Sequence, residues 1–211
     1  MTNQTTGLIS SQAIAHAREV VTLLMKRPIT EEIAMQIGDM DGFKNLEIAN
    51  GEWIGFEQDD YMTGEQHGWL ESKVLMALGT YVVANKLGRV YPGDMDFVLS
   101  GNKETLEDKR QPDVSFVSIA RLQKTSGYFY GAPDLAVEIV SPTQFRPEFV
   151  EKANLYMKYG TQIVWLVFPK KQTIEVHTPD AIPVVYEYDD TLLGGDLLPD
   201  FELSVKEIFA D

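Results

Sequence analysis

Residues 135–140 read Leu-Ala-Val-Glu-Ile-Val, an apolar run of strand length that contains a single carboxylate, Glu138. A carboxylate in a core strand is costly unless it is paired, hydrogen-bonded or bound to a metal. Because side chains alternate along a strand, Glu138 shares a face with Ala136 and Val140. Two interpretations remain open at this point: the face is exposed to solvent, or Glu138 has a buried partner.

A second carboxylate, Asp113, opens another run of strand length, which reads Asp-Val-Ser-Phe-Val over residues 113–117. We expect the two runs to be neighbouring strands of one sheet. Two carboxylates on neighbouring strands favour a shared metal site over two unrelated surface side chains.

The third candidate, Lys152, lies on a predicted helix that covers residues 147–159. Its neighbours three and four positions away are Phe149, Leu155 and Tyr156. This is the apolar face of the helix, where a lysine seldom lies without an anionic partner. Two other interpretations stay open: a lysine at the boundary whose ammonium reaches solvent, or a purely structural pair with Glu148.

Periodicity and turn chemistry predict the elements around these residues. Predicted helices cover 10–26, 30–36, 65–87 and 147–159. Predicted strands cover 95–100, 113–117, 135–140 and 163–168, with hairpins at 46–56, around Asn50-Gly51, and at 173–188. This order predicts an α/β (α+β) fold in which a mixed sheet is flanked by helices. We predict one domain, 1–211, with N-terminal helices and a hairpin (1–60), a core (61–170) and a C-terminal hairpin and tail (171–211).

Composition narrows the class of protein. The 211 residues contain no cysteine, which excludes disulfides, thiolate catalysis and cysteine zinc sites. No apolar run is long enough to span a membrane and no secretory signal is evident, so we expect a cytoplasmic protein. The sequence motifs of serine hydrolases, zinc metalloproteases, P-loop NTPases and dinucleotide-binding proteins do not occur.

Charge is unevenly distributed along the chain. The net charge of −14 argues against a protein that coats nucleic acid. Residues 101–171, however, carry 10 basic and 8 acidic side chains. These basic residues include Lys103, Lys109, Arg110, Arg121, Lys124, Arg146, Lys170 and Lys171. The segment is either an ordinary solvated surface or a surface that faces an anion.

Several of these features together resemble the Uma-type family, a group abundant in cyanobacteria and assigned to the PD-(D/E)XK restriction-endonuclease-like superfamily. The resemblance extends from about Ile29 to Phe209. Its motifs are Pro112-Asp113-Val114, the stretch DLAVEIVSPT at 134–143, Glu151-Lys152 followed by Tyr156 and Gly160, and VWLV at 164–167. The resemblance implies a restriction-endonuclease-like core.

The same resemblance implies a function for the site. Asp113, Glu138 and the backbone carbonyl of Ile139 would bind Mg²⁺ or Mn²⁺, and Lys152 would orient the attacking water or stabilise the transition state. One departure from the superfamily pattern is that Val140 occupies the position of the usual lysine. Lys152, on the following helix, takes that role in the resembling family.

Two residues of the helix predicted at 65–87 are auxiliary candidates. In the superfamily this helix often adds an acidic side chain to the metal site, and Glu71 is the corresponding candidate, although its spacing favours an amphipathic boundary position. His67, one turn earlier, is either a site member or a capping residue.

These observations predict a Mg²⁺-dependent endonuclease that hydrolyses DNA phosphodiester bonds, and a homodimer is compatible with cutting a duplex. Two alternatives remain. One is a catalytically inactive interaction module with a nuclease fold, since fold alone does not establish function. The other is a nuclease that acts on RNA or on small phosphodiesters.

Overall fold

The computed structural model describes residues 11–40, 43–55, 64–124, 127–141 and 146–210. The helices are α1 (Ser11–Leu24), α2 (Glu31–Gly38), α3 (Glu65–Ala84), α4 (Arg146–Lys158) and α5 (Val205–Phe209). The first seven strands are β1 (Glu47–Ala49), β2 (Glu52–Ile54), β3 (Gly88–Pro92), β4 (Phe97–Asn102), β5 (Thr105–Arg110), β6 (Val114–Ser118) and β7 (Phe129–Tyr130). The remaining strands are β8 (Leu135–Ile139), β9 (Ile163–Phe168), β10 (Thr173–His177), β11 (Val184–Tyr186), β12 (Thr191–Leu193) and β13 (Glu202–Ser204).

A six-stranded sheet forms the centre of the fold, with the order β11-β10-β9-β8-β6-β3. The pair β8–β9 is parallel, whereas β8 and β6 are antiparallel, so the sheet is mixed. Every residue of β8 and β9 is buried, because α3 covers one face of the sheet and α4 covers the other. Strands buried on both faces have near-continuous apolar sequences. The predicted mixed sheet flanked by helices is confirmed.

A second sheet of five strands, in the order β2-β1-β5-β4-β7, carries the N-terminal hairpin. Asn50 and Gly51 connect β1 to β2 with positive φ angles of 50° and 74°, as the predicted two-residue turn requires. Helices α1 and α2 pack on this sheet through a separate apolar cluster. The hairpin was predicted to end at Phe56, which lies outside the described residues.

The strands β3 and β5 are missing from the sequence prediction. Strand β5 reads Thr-Leu-Glu-Asp-Lys-Arg and has no apolar alternation, yet Asp108, Lys109 and Arg110 are buried in it. The strand predicted at 95–100 pairs with β5 and therefore belongs to the five-stranded sheet, not to the core sheet.

Smaller differences concern helix ends and the C-terminal region. The helix predicted to reach Leu87 ends at Ala84, because Lys86 adopts a left-handed φ of 55°. The predicted hairpin β10–β11 is confirmed, and it is followed by the paired strands β12 and β13. No helix in the described part of the chain is long and apolar enough to cross a membrane. The prediction of one domain stays a prediction.

Candidate functional site

A cavity of about 800 Å³ brings together all six predicted site residues. Its lining includes Asp113, Glu138, Ile139 and Lys152, and also the auxiliary candidates His67 and Glu71. Glu138 and Ile139 lie on β8, Asp113 directly precedes β6, His67 and Glu71 lie on α3, and Lys152 lies on α4. These elements are separate in sequence and adjacent around one region of the core sheet.

Glu138 points from β8 toward α4 and is only 4% exposed. The face that carries it is therefore buried rather than solvated. Its Oε1 accepts a hydrogen bond from the Tyr156 hydroxyl at 2.8 Å and lies 3.0 Å from Lys152 Nζ. Burial raises the pKa of Glu138 to about 8, even though the positive charge of Lys152 acts in the opposite direction.

Lys152 lies between two carboxylates, with its Nζ 3.0 Å from Glu138 Oε1 and 3.0 Å from Glu47 Oε1. Its ion-pair partners among the described residues are these two, and not Glu148. Burial disfavours the charged ammonium, but the nearby carboxylates outweigh it and raise the pKa of Lys152 above its usual range. The lysine is therefore a fixed positive charge in the cavity wall.

Asp113 directly precedes β6, which pairs with β8 so that Val114 lies opposite Val137. Asp113 Oδ2 accepts a hydrogen bond from the backbone N–H of Ile139 at 2.6 Å. The Asp113 carboxylate is therefore hydrogen-bonded to the residue that follows Glu138. This agrees with the expectation that the two strands are neighbours.

His67 and Glu71 both face this cavity from α3. The Nε2 of His67 lies 3.3 Å from Asp113 Oδ1, and this hydrogen bond raises the pKa of His67 although burial opposes the shift. Glu71 Oε1 accepts a hydrogen bond from the backbone N–H of Gly93 at 3.2 Å, and burial raises the pKa of Glu71. His67 is therefore a partner of Asp113, which places it at the site rather than in a capping role alone.

Two partners of the site were not singled out from the sequence. Glu47 comes from β1 in the other sheet, and nothing in its local pattern connects it to Lys152. Tyr156 was named in the family motif and on the apolar face of α4, but no contact at the site was predicted for it. Its position one turn after Lys152 allows its hydroxyl to reach the same carboxylate.

The donor set determines which metal these residues could hold. Within the described ranges, no three His, Cys, Asp or Glu side chains are arranged as a ready metal-binding group. Two carboxylates and a backbone carbonyl do not match a closed zinc site. They match Mg²⁺, which retains several water ligands and commonly uses only one or two protein carboxylates.

The basic residues of the middle segment are largely neutralised within the chain. Five of the eight basic residues named from the sequence form ion pairs with carboxylates. The pairs are Lys103–Glu31, Lys109–Asp96, Arg110 with both Glu47 and Asp108, Arg121–Asp134, and Arg146–Glu175. The cavity lining, in contrast, is rich in acidic side chains: Glu47, Glu71, Asp94, Asp113, Glu138, Glu148 and Glu151. The five paired residues therefore give no support to the interpretation that this segment faces an anion.

Comparisons with known proteins agree with this fold. Residues 44–206 match the family model Uma2, which is described as "Putative restriction endonuclease". A solved structure from Anabaena variabilis, described as "a putative nuclease belonging to DUF820", is similar with a TM-score of 0.70 and 23% sequence identity. The similarity covers 86% of this chain and 98% of that one, and at this identity it shows the fold. A search of curated proteins gives no match.

Proposed function

The chain belongs to the Uma2 family, and from that premise we propose that it is a Mg²⁺-dependent endonuclease that hydrolyses DNA phosphodiester bonds. A restriction-endonuclease family implies a nucleic-acid substrate; DNA and Mg²⁺ are our proposal. One observation supports the proposal most directly. The Asp113 carboxylate accepts a hydrogen bond from the backbone N–H of Ile139, next to Glu138, and the protonated Lys152 lies beside Glu138.

Asp113, Glu138 and the Ile139 carbonyl would hold the metal. When bound, Mg²⁺ lowers the pKa of a coordinated water and offsets negative charge on the scissile phosphate. The hydrogen bond from the Ile139 N–H and the contact with His67 keep the Asp113 carboxylate in place. Tyr156 does the same for Glu138.

Lys152 would contribute positive charge rather than accept a proton. Its surrounding carboxylates raise its pKa, so the ammonium remains protonated and is a poor general base. A fixed ammonium inside a partly buried cavity stabilises negative charge that develops on a phosphate oxygen.

The acidic lining of the cavity favours a second candidate, a nuclease-fold module without catalysis. A polyanion approaches so many carboxylates only if cations offset their charge. The proposed enzyme therefore requires a divalent cation for nucleic-acid binding, whereas an inactive module would bind neither the metal nor the phosphate at this cavity.

The proposal is tested by cleavage of supercoiled plasmid and branched DNA with Mg²⁺ or Mn²⁺. We expect Asp113→Asn and Glu138→Gln each to lower the rate at least about 1,000-fold, equivalent to about 4 kcal/mol of transition-state stabilisation. Glu202→Gln is the matched control, since Glu202 is exposed on β13 and does not line the cavity.

Three results would contradict the proposal in different ways. Cleavage that survives both site substitutions would refute the site. Cleavage of RNA with no cleavage of DNA would refute the substrate. No cleavage of any nucleic acid, together with no metal binding by calorimetry, would favour the inactive module.

A further inference from the structure

Glu47 brings a second carboxylate to the lysine of the site from a different sheet. Its Oε1 lies 3.0 Å from Lys152 Nζ, the same distance that separates Lys152 from Glu138 Oε1. The Glu47 side chain is 13% exposed, so the contact is sheltered from most of the solvent that weakens surface ion pairs.

The position of Glu47 is held by contacts beyond the lysine. Its Oε1 also accepts a hydrogen bond from the backbone N–H of Gln111 at 2.8 Å, two residues before Asp113. Its Oε2 lies 3.8 Å from Arg110 Nε. Glu47 therefore links the N-terminal hairpin, the segment that leads to Asp113, and helix α4.

We propose that Glu47 is a positioning residue of the nuclease site, which holds the Lys152 ammonium where it meets the scissile phosphate. This inference rests on the proposed function. It extends the site from the core sheet to the five-stranded sheet, so the hairpin β1–β2 completes the active centre.

The chemistry of lysine explains why a second anion is needed. An ammonium is a compact charge on a flexible stem, and its position depends on the groups that surround it. Glu138 belongs to the proposed ligand set and would share its negative charge with a cation. Glu47 lies outside that set and would remain a full counter-charge for Lys152 during turnover.

The test compares steady-state cleavage by the wild type, Glu47→Gln, Glu47→Ala, Lys152→Met and the double variant Glu47→Gln/Lys152→Met. We expect Glu47→Ala to lower kcat about 10- to 100-fold with KM changed less than about twofold, as is typical for residues that orient a catalytic group. Glu47→Gln keeps an acceptor for Gln111 and should show a smaller loss. In the Lys152→Met background, Glu47→Gln should cause no further loss, because the two residues act as a unit.

Glu52→Gln is the matched control, since Glu52 is an exposed carboxylate on the other strand of the same hairpin. Its kcat should equal that of the wild type. Urea unfolding of each variant separates folding from catalysis, and Glu47→Gln provides the test if Glu47→Ala does not fold.

An unchanged kcat in folded Glu47→Gln and Glu47→Ala would overturn the role of Glu47 and leave the proposed function intact. An equal loss with and without Lys152 would also overturn it, because Glu47 would then act independently of the lysine. An inactive wild-type protein would overturn the proposed function itself, and the role of Glu47 with it.

Discussion

The two ends of strand β8 each carry a buried carboxylate, and their surroundings differ. Asp134, just before the strand, is fully buried; its Oδ2 accepts from Ser118 N–H at 2.7 Å and its Oδ1 from Arg121 Nη1 at 2.9 Å. Burial alone would raise the pKa of Asp134, but these donors outweigh it and lower the pKa below the usual value. Glu138, near the other end, has a raised pKa.

The difference separates a structural carboxylate from a functional one. Asp134 has donors on both oxygens, and a third comes from Gln162 Nε2 at 3.0 Å, so its charge is satisfied within the fold. Glu138 also has donors on both oxygens, Tyr156 on Oε1 and Lys152 on Oε2 at 3.1 Å, but they do not offset its burial. Its ionised form therefore stays unfavourable until further positive charge enters the cavity that it lines. A buried carboxylate that the fold leaves partly uncompensated is a candidate for metal binding.

The largest expected effect on stability distinguishes the two ends of β8 directly. Asp134→Asn should lower the free energy of unfolding by about 3 kcal/mol, because an amide cannot accept hydrogen bonds on both sides and Arg121 loses its partner. Glu138→Gln should change it by less than about 1 kcal/mol at pH 7, because burial already makes the ionised carboxylate costly and Lys152 keeps Glu47 as a partner. Urea unfolding of the metal-free proteins measures both, and equal losses would remove the distinction.

The second prediction concerns the affinity for a metal ion, for which Glu138 should matter more than Asp134. Glu138→Gln should weaken Mn²⁺ binding by about 100-fold, or about 2.7 kcal/mol, because a proposed ligand is lost. Asp134→Asn should leave the affinity of the folded protein within about threefold. Calorimetric titration decides between these outcomes, and a comparable loss in Asp134→Asn would indicate that both ends of the strand support the metal site.

The smallest effect is the acid dependence of stability. The lowered pKa of Asp134 means that its contribution is complete above the usual value of 3.8 and is lost as the pH falls through the pKa of the folded state. The wild type should therefore lose stability more steeply than Asp134→Asn below about pH 4. Urea midpoints recorded from pH 6 to pH 2 measure the difference, and parallel curves would contradict it.

Local patterns in the sequence predicted much of the core. A helix was predicted over 65–87, and the apolar residues that recur there at helical spacing, Leu70, Val74, Leu78 and Val82, are buried in α3. Strand β9 has the predicted bounds, and Asn50-Gly51 forms the predicted turn. Such features were accessible because periodicity and turn chemistry depend on neighbouring residues.

Other features could not be predicted in this way. Strand β5 is polar, and its buried Lys109 and Arg110 are tolerated because Asp96, directly before β4, and Glu47, on β1, pair with them. Trp69 is 44% exposed, although tryptophan is an apolar residue that is usually well buried; Lys73 lies over its ring.

The sequence by itself determined that Asp113, Glu138 and Lys152 are out of place among apolar residues, because a charge in a core pattern is recognisable locally. Only the tertiary structure decided their partners: Ile139 and His67 for Asp113, Tyr156 for Glu138, and Glu47 for Lys152. It also decided that most of the basic middle segment is paired within the chain. Charge pairing depends on distances between strands of two sheets, and those distances follow from how the whole chain packs.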